Sequence, residues 1–169
     1  MNSKTEQHEK IKKVITETKN CMFITVGAYG HLDARPMHAY LLDDSSDESS
    51  HIWFFTNKES EIARQVEKNS NVNLSFSNSK NETYLSLMGK AHLTQNRKQI
   101  EALWNPLLLA WFPKGLEDPN LSLIKVEPMK AELWENSVSS IITLFGMTKS
   151  ILQGEVYKGG KDSHISVSM

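Results

Sequence analysis

Ile52-Trp53-Phe54-Phe55-Thr56-Asn57-Lys58-Glu59-Ser60 is the stretch on which the reading of this chain turns. Four apolar, mostly aromatic residues make a buried strand, and the hydroxyl-bearing residues after it run straight into a helix. Upstream, Ala34-Arg35-Pro36-Met37 reads as the end of a second strand. A strand that delivers backbone amides and hydroxyls to a helix N-terminus is a natural site for an anion such as a phosphate. Arg35, one strand away, suggests what completes the charge.

Each of these residues also has a purely structural reading. Thr56-Asn57-Lys58-Glu59 fits a capping box, in which hydroxyl and carboxylate satisfy each other's backbone donors. Ser60 and Arg64 are four apart and share a helix face, opposite or lateral to Ile62 and Val66. That face suits solvent exposure as well as it suits a phosphate. Arg35 lies in an extended, largely apolar segment and needs a partner for its charge; a ligand phosphate or a cross-strand carboxylate would each serve.

The flanking pattern supplies the frame. Ile11, Val14 and Ile15 recur at helical spacing and predict an amphipathic helix over residues 7–18. Residues 21–27 alternate, and Gly27 with Gly30 punctuates a turn into a strand over 31–42. The acids and serines of 43–50 predict a solvated hairpin loop. A short helix over 59–67 turns Ile62, Ala63 and Val66 inward. Strands are expected over 72–77 and 82–93, the latter with Leu85, Leu87, Ala91 and Leu93 on one face and Gly89 marking a bulge or a close backbone approach. Residues 95–111 predict a helix with Trp104 and Trp111 on one stripe. Phe112-Pro113-Lys114-Gly115 ends it, an aromatic and a cation on a rigid turn that would make a lid over a planar ligand. A strand over 121–134, a helix over 137–147 and closing strands at 151–157 and 165–167 complete the reading. Five or six strands with few long helices predict a mainly β class with helices, an antiparallel barrel forming one domain over residues 1–169.

Composition excludes more than it specifies. The 169 residues are 39% hydrophobic and 23% charged with a formal net charge of -1, so no surface for nucleic acid or membrane is expected. No apolar run approaches the roughly 18 residues of a membrane span. The polar stretch 1–13 predicts no secretory signal. Cys21 is the single cysteine, which excludes an intramolecular disulfide and suits the cytoplasm; opening an apolar strand, it reads as a small buried hydrophobe. None of the six histidines lies in an H-x-x-x-H or Cys/His pattern, so no metal site is expected. G-x-S-x-G, G-x-G-x-x-G and G-x-x-x-x-G-K-[ST] are all absent, and no catalytic side chain stands out.

Four segments together carry a resemblance: Ala34-Arg35-Pro36-Met37; Trp53-Phe54-Phe55-Thr56 with Ser60; Tyr84-Leu85-Ser86-Leu87-Met88-Gly89-Lys90-Ala91; and W-N-P-L-L-L-A-W-F-P-K-G from Trp104 to Gly115. The chain resembles the general stress protein 26 group of the pyridoxamine 5'-phosphate oxidase-like, FMN-binding split-barrel superfamily. The likeness continues through Glu117-Asp118-Pro119 to Trp134, and W-x(6)-W-F-P-x-G is its most specific piece. The resemblance implies a six-stranded antiparallel split β-barrel, assembled as a homodimer with two FMN sites at the subunit interface. Arg35 would contact the phosphate or ribityl chain, and the backbone at Pro36 and Met37 would pass along the flavin ring. Phe54, Phe55 and Thr56 would lie at ring and ribityl positions, with Ser60 on the phosphate. Tyr84, Trp111 and the following loop with Lys114 would approach from a neighbouring strand or from the other subunit.

One departure stands out. Similar proteins usually carry a lysine two residues after the serine, where this chain has Ile62, and Arg64 is the candidate replacement. One missing charge-assisted hydrogen bond costs about 1.5–3 kcal/mol. The basic cluster that binds pyridoxal phosphate elsewhere in the superfamily has no counterpart in residues 132–140, so vitamin B6 oxidation is not expected. The function implied is a cytoplasmic FMN-dependent oxidoreductase acting on a small redox substrate or NAD(P)H. A non-catalytic flavin-binding, storage or sensing protein is the alternative, a barrel that has lost flavin for another ligand a third, and a deazaflavin (F420) cofactor a lesser variant.

Overall fold

Alternating apolar residues build one antiparallel sheet, seen in a computed structural model that describes residues 4–42, 51–136 and 162–168. Expectations for 43–50, 137–147 and 151–157 fall outside the described residues. The strands are β1 (Asn20–Val26), β2 (Leu32–His38), β3 (Tyr40–Leu41), β4 (Ile52–Asn57), β5 (Asn71–Asn78), β6 (Thr83–Thr94), β7 (Leu121–Asn136) and β8 (Asp162–Ser168). Their order is β2-β1-β5-β6-β7-β4-β3, with β8 also paired to β7. The long β7 pairs with β4 through its first half and with β8 through its second, while β6 runs along its other edge. Sharing one strand between successive partners curls the sheet into a half-barrel.

The path has seven strands where six were expected. The extra one arises because the expected strand over 31–42 is broken at Ala39, whose amide donates to the Lys19 carbonyl at 2.7 Å. On either side of Ala39 the chain changes partner: β2 pairs with β1, and β3 with β4. The two edges of the sheet are therefore consecutive in sequence, and the chain itself carries one edge round to the other.

Phe23 and Phe54 meet edge to face inside the half-barrel at 4.8 Å between ring centroids. Leu74, Leu87, Val126 and Leu133 surround them, and two helices close the core: α1 (Lys4–Thr18) with Ile11, Val14 and Ile15, and α2 (Glu61–Lys68) with Ile62 and Val66. Trp53 and Phe55, on the opposite face of β4, pack with Leu121, Leu123 and α3 (Arg97–Leu103) in a second cluster. Burial on both faces is why β4 reads as an unbroken apolar run rather than an alternating one.

Three local expectations change. The helix expected over 95–111 stops at Leu103, because Pro106 disfavours helical backbone at Asn105 and lacks an amide hydrogen. Asn105 instead accepts from the Leu107 amide at 3.1 Å and starts a separate 3-10 turn, Pro106–Ala110. Trp104 and Trp111 consequently share no stripe: Trp104 packs edge-on against Phe55, whereas Trp111 is exposed. The capping box at 56–59 does not form either. α2 begins at Glu61 with Ser60 as its N-cap, the Ser60 hydroxyl accepting from the Ala63 amide at 3.3 Å. At Gly89 both proposed reasons for glycine hold: the β6–β7 register shifts there, and a Cβ would come within 2.5 Å of the Glu127 carbonyl oxygen.

Candidate functional site

The closure of the sheet leaves a groove of about 930 Å³ between the end of β2, Tyr40, β4 and the segment 105–112. Met37, Phe55, Leu108 and Trp111 supply apolar wall, and Asn57 and Asn105 polar edges. Asn105 Nδ2 donates to the Tyr40 hydroxyl at 3.4 Å, tying the 3-10 segment to β3. Trp111 is 73% exposed and the neighbouring Leu107 81%, so this side of the groove is open.

Thr56 lines the groove and its hydroxyl lies 3.0 Å from that of Ser60. The groove therefore leads to the start of α2, where backbone amides and a hydroxyl meet. Arg64 bends back along the helix, and its Nη1 donates to the Glu59 carbonyl. A cation thus sits at the first turn, although Ile62 is 6% exposed and packed into the core. A lysine there would have to leave the half-barrel interior to reach an anion.

Arg35 makes no ion pair with a cross-strand carboxylate among the described residues; neutral side chains hold it. Its Nη1 donates to the Thr25 hydroxyl at 2.8 Å and its Nη2 to Gln65 Oε1 at 3.0 Å. Gln65 Nε2 in turn donates to Asp33 Oδ2 at 2.6 Å. Arg35 is half-buried at this network and does not line the groove.

Of the expected site residues, Pro36, Met37, Phe55, Thr56 and Trp111 come together at the groove, with Ser60 and Arg64 at its helical end. Phe54 does not: its ring is wholly inside the core, so any ligand contact from this position is through backbone. Tyr84 is on the exposed face of β6, opposite Trp134 in register, and Lys114 is exposed in the turn after Phe112; neither lines the groove. Thr25, Gln65, Tyr40 and Asn105 were not anticipated. For Gln65 a signal existed, a polar residue on the inward face one position before Val66.

The titratable groups at the rim are few. Burial, then the nearby Lys19 charge, pulls His38 below its ordinary value, so it is neutral at pH 7. Cys21 is buried and its thiol is pushed up to about 12. Among the described residues no cluster of three or more His, Cys, Asp or Glu could hold a metal ion, and no helix is long and apolar enough to cross a membrane. The groove offers aromatic walls to a planar apolar group and the helix start offers hydroxyls and amides to an anion; among the described residues no acid–base pair lines it.

Fold and topology define a split-barrel protein, with the groove at the closure of the sheet. Residues 6–158 match the model of the pyridoxamine 5'-phosphate oxidase-like family, and the chain belongs to that family. It is 27% identical over 92 residues to general stress protein 26 of Bacillus subtilis, covering 53% of this chain and 65% of that protein. The chain spans less than two thirds of the length of the curated relatives it matches. Among solved structures it is similar to the general stress FMN/FAD-binding protein of Xanthomonas citri, with TM-score 0.68 and 31% identity over 80% of this chain and 92% of that one. A Clostridium acetobutylicum protein related to general stress protein 26 shares the fold over 99% of this chain and 97% of its own, with TM-score 0.69 and 16% identity.

Proposed function

We propose that this chain is a cytoplasmic FMN-binding protein of the general stress type, acting as an FMN-dependent oxidoreductase in a homodimer whose flavin sites lie at the subunit interface. The observation that carries the reading is the continuous path from the apolar groove to the Thr56–Ser60 hydroxyl pair. FMN has a planar apolar ring at one end and a phosphate at the other, and the residues present fit that polarity. Met37, Phe55 and Trp111 would hold the ring, with Thr56 and Ser60 on the ribityl–phosphate end. Arg64 at the first turn of α2 offsets the cation missing at Ile62. The FMN/FAD-binding Xanthomonas relative supports a flavin over an unrelated ligand.

Bound flavin supplies hydride or electron transfer, and the protein contributes orientation, local electrostatics and exclusion of water. The exposed Trp111 and Leu107 beside the groove support a second subunit covering it. The cytoplasmic assignment rests on the single, buried Cys21.

The decisive measurement is the visible spectrum of the purified protein, before and after incubation with FMN. Oxidised-flavin bands are expected. A colourless protein that takes up no added FMN sinks the flavin reading. Anaerobic NADH and NADPH then separate the two flavin roles: bleaching at a useful rate supports the oxidoreductase, and a spectrum unchanged by either donor supports a carrier.

A further inference from the structure

The anchoring of Arg35 is unusual for a half-buried charge. Among the described residues no carboxylate is in ion-pair contact with it, although Asp33 lies two positions away on the same face of β2. Between the two stands Gln65, 8% exposed on α2. Its Oε1 accepts from Arg35 Nη2 at 3.0 Å and from the Thr25 hydroxyl at 2.6 Å. Its Nε2 donates to Asp33 Oδ2 at 2.6 Å and to Glu61 Oε1 at 3.3 Å. Two acceptor positions and two donors exhaust the amide. The reverse orientation would set an NH2 group against the guanidinium and a carbonyl against two carboxylates, so the network itself determines which way the amide points.

We propose that Gln65 is a positioning residue that keeps Arg35 from pairing with Asp33, holding the guanidinium on α2 with donors left for the phosphate of the flavin. Residues i and i+2 of a strand share a face, so without the intervening amide the Asp33 carboxylate and the guanidinium are free to approach each other. A charge-assisted pair between them would occupy the donors that an incoming anion requires. Thr25, 1% exposed, accepts from Nη1 on the other side and donates its own hydroxyl hydrogen bond to Gln65 Oε1. The helix that carries the amide is the one whose first turn carries Ser60, so guanidinium and N-cap are referenced to a single rigid element.

This inference rests on the FMN reading and is tested so that the two can fail separately. Dissociation constants for FMN and for riboflavin, which lacks the phosphate, are measured by flavin fluorescence on wild type, Gln65→Met and Gln65→Met with Asp33→Asn. Gln65→Met is expected to weaken FMN about tenfold while leaving riboflavin within about twofold, and Asp33→Asn is expected to restore most of the loss. A merely structural role would weaken both flavins together and would not be rescued by neutralising Asp33. Unchanged FMN affinity in Gln65→Met, parallel loss of both flavins, or no rescue overturns the proposal and leaves the FMN reading standing. A wild type that binds neither flavin overturns both. Should Gln65→Met not fold, Gln65→Glu carries the same test: it keeps the length but sets a carboxylate on Arg35, and FMN must weaken relative to riboflavin.

Discussion

Cys21 shows how far burial alone can set the behaviour of one residue. It is the second residue of β1, 4% exposed, and loss of water raises its thiol from 9.0 to about 12. Between those values the unfolded chain has lost the proton and the folded chain still holds it. Stability contributed by this group is therefore complete below pH 9 and falls as pH rises towards 12, by up to about 1.4 kcal/mol per pH unit. Urea unfolding at pH 8 and pH 10 should show the fall in wild type and a smaller one in Cys21→Ala. Equal slopes would show that the thiol is not the group responsible. Arg35 shows the opposite case. Its type and strand were legible as a charge needing company, but its partners were not: Thr25 and Gln65 lie 10 and 30 positions away, the first brought to it by the pairing of β1 with β2 and the second by α2.

Elements were legible where periodicity was long and failed where one residue outvoted it. The β6 alternation and its glycine were read correctly, because a two-residue repeat over many positions has no helical equivalent. Gly89 is also where the sheet is least forgiving, since the atom a side chain would strike is backbone. Gly89→Ala should cost about 1–3 kcal/mol in urea unfolding, the usual penalty for overpacking. A cost near zero would mean that β6 and β7 separate more readily than their register implies. The helix expected over 95–111 had the right apolar spacing, yet Pro106 and the Asn105 cap divide it, and the division turns Trp111 outward beside the groove. Likewise, the capping role expected of Thr56 falls to Ser60, which leaves Thr56 on the groove.

At the scale of the whole molecule, exposure is the informative quantity. Leu107, Leu109 and Trp111 are 81%, 48% and 73% exposed on one short segment beside the groove. Apolar side chains gathered in this way fit a surface that the proposed homodimer would cover. The proposed homodimer should sediment at twice the chain mass. Trp111→Glu should shift it towards monomer and weaken FMN, because an aromatic at an interface centre contributes about 2 kcal/mol or more. A wild type that sediments as a monomer yet binds FMN at full affinity would refute an interfacial site.

The sequence by itself determined the mainly β class, the strands around Phe54 and Leu87, the inward faces of α1 and α2, and the family likeness carried by the tryptophan segment. All of these follow from local patterns, in which side-chain periodicity and turn residues act on near neighbours. Tertiary structure alone decided that β2 and β3 form opposite edges of one sheet, that Phe54 faces the core while Phe55 and Thr56 face the groove, and that Gln65 stands between Asp33 and Arg35. Those outcomes depend on register and on the curl of β7 between its partners. Hydrogen bonds between distant segments set both, and no periodicity within a single segment encodes them.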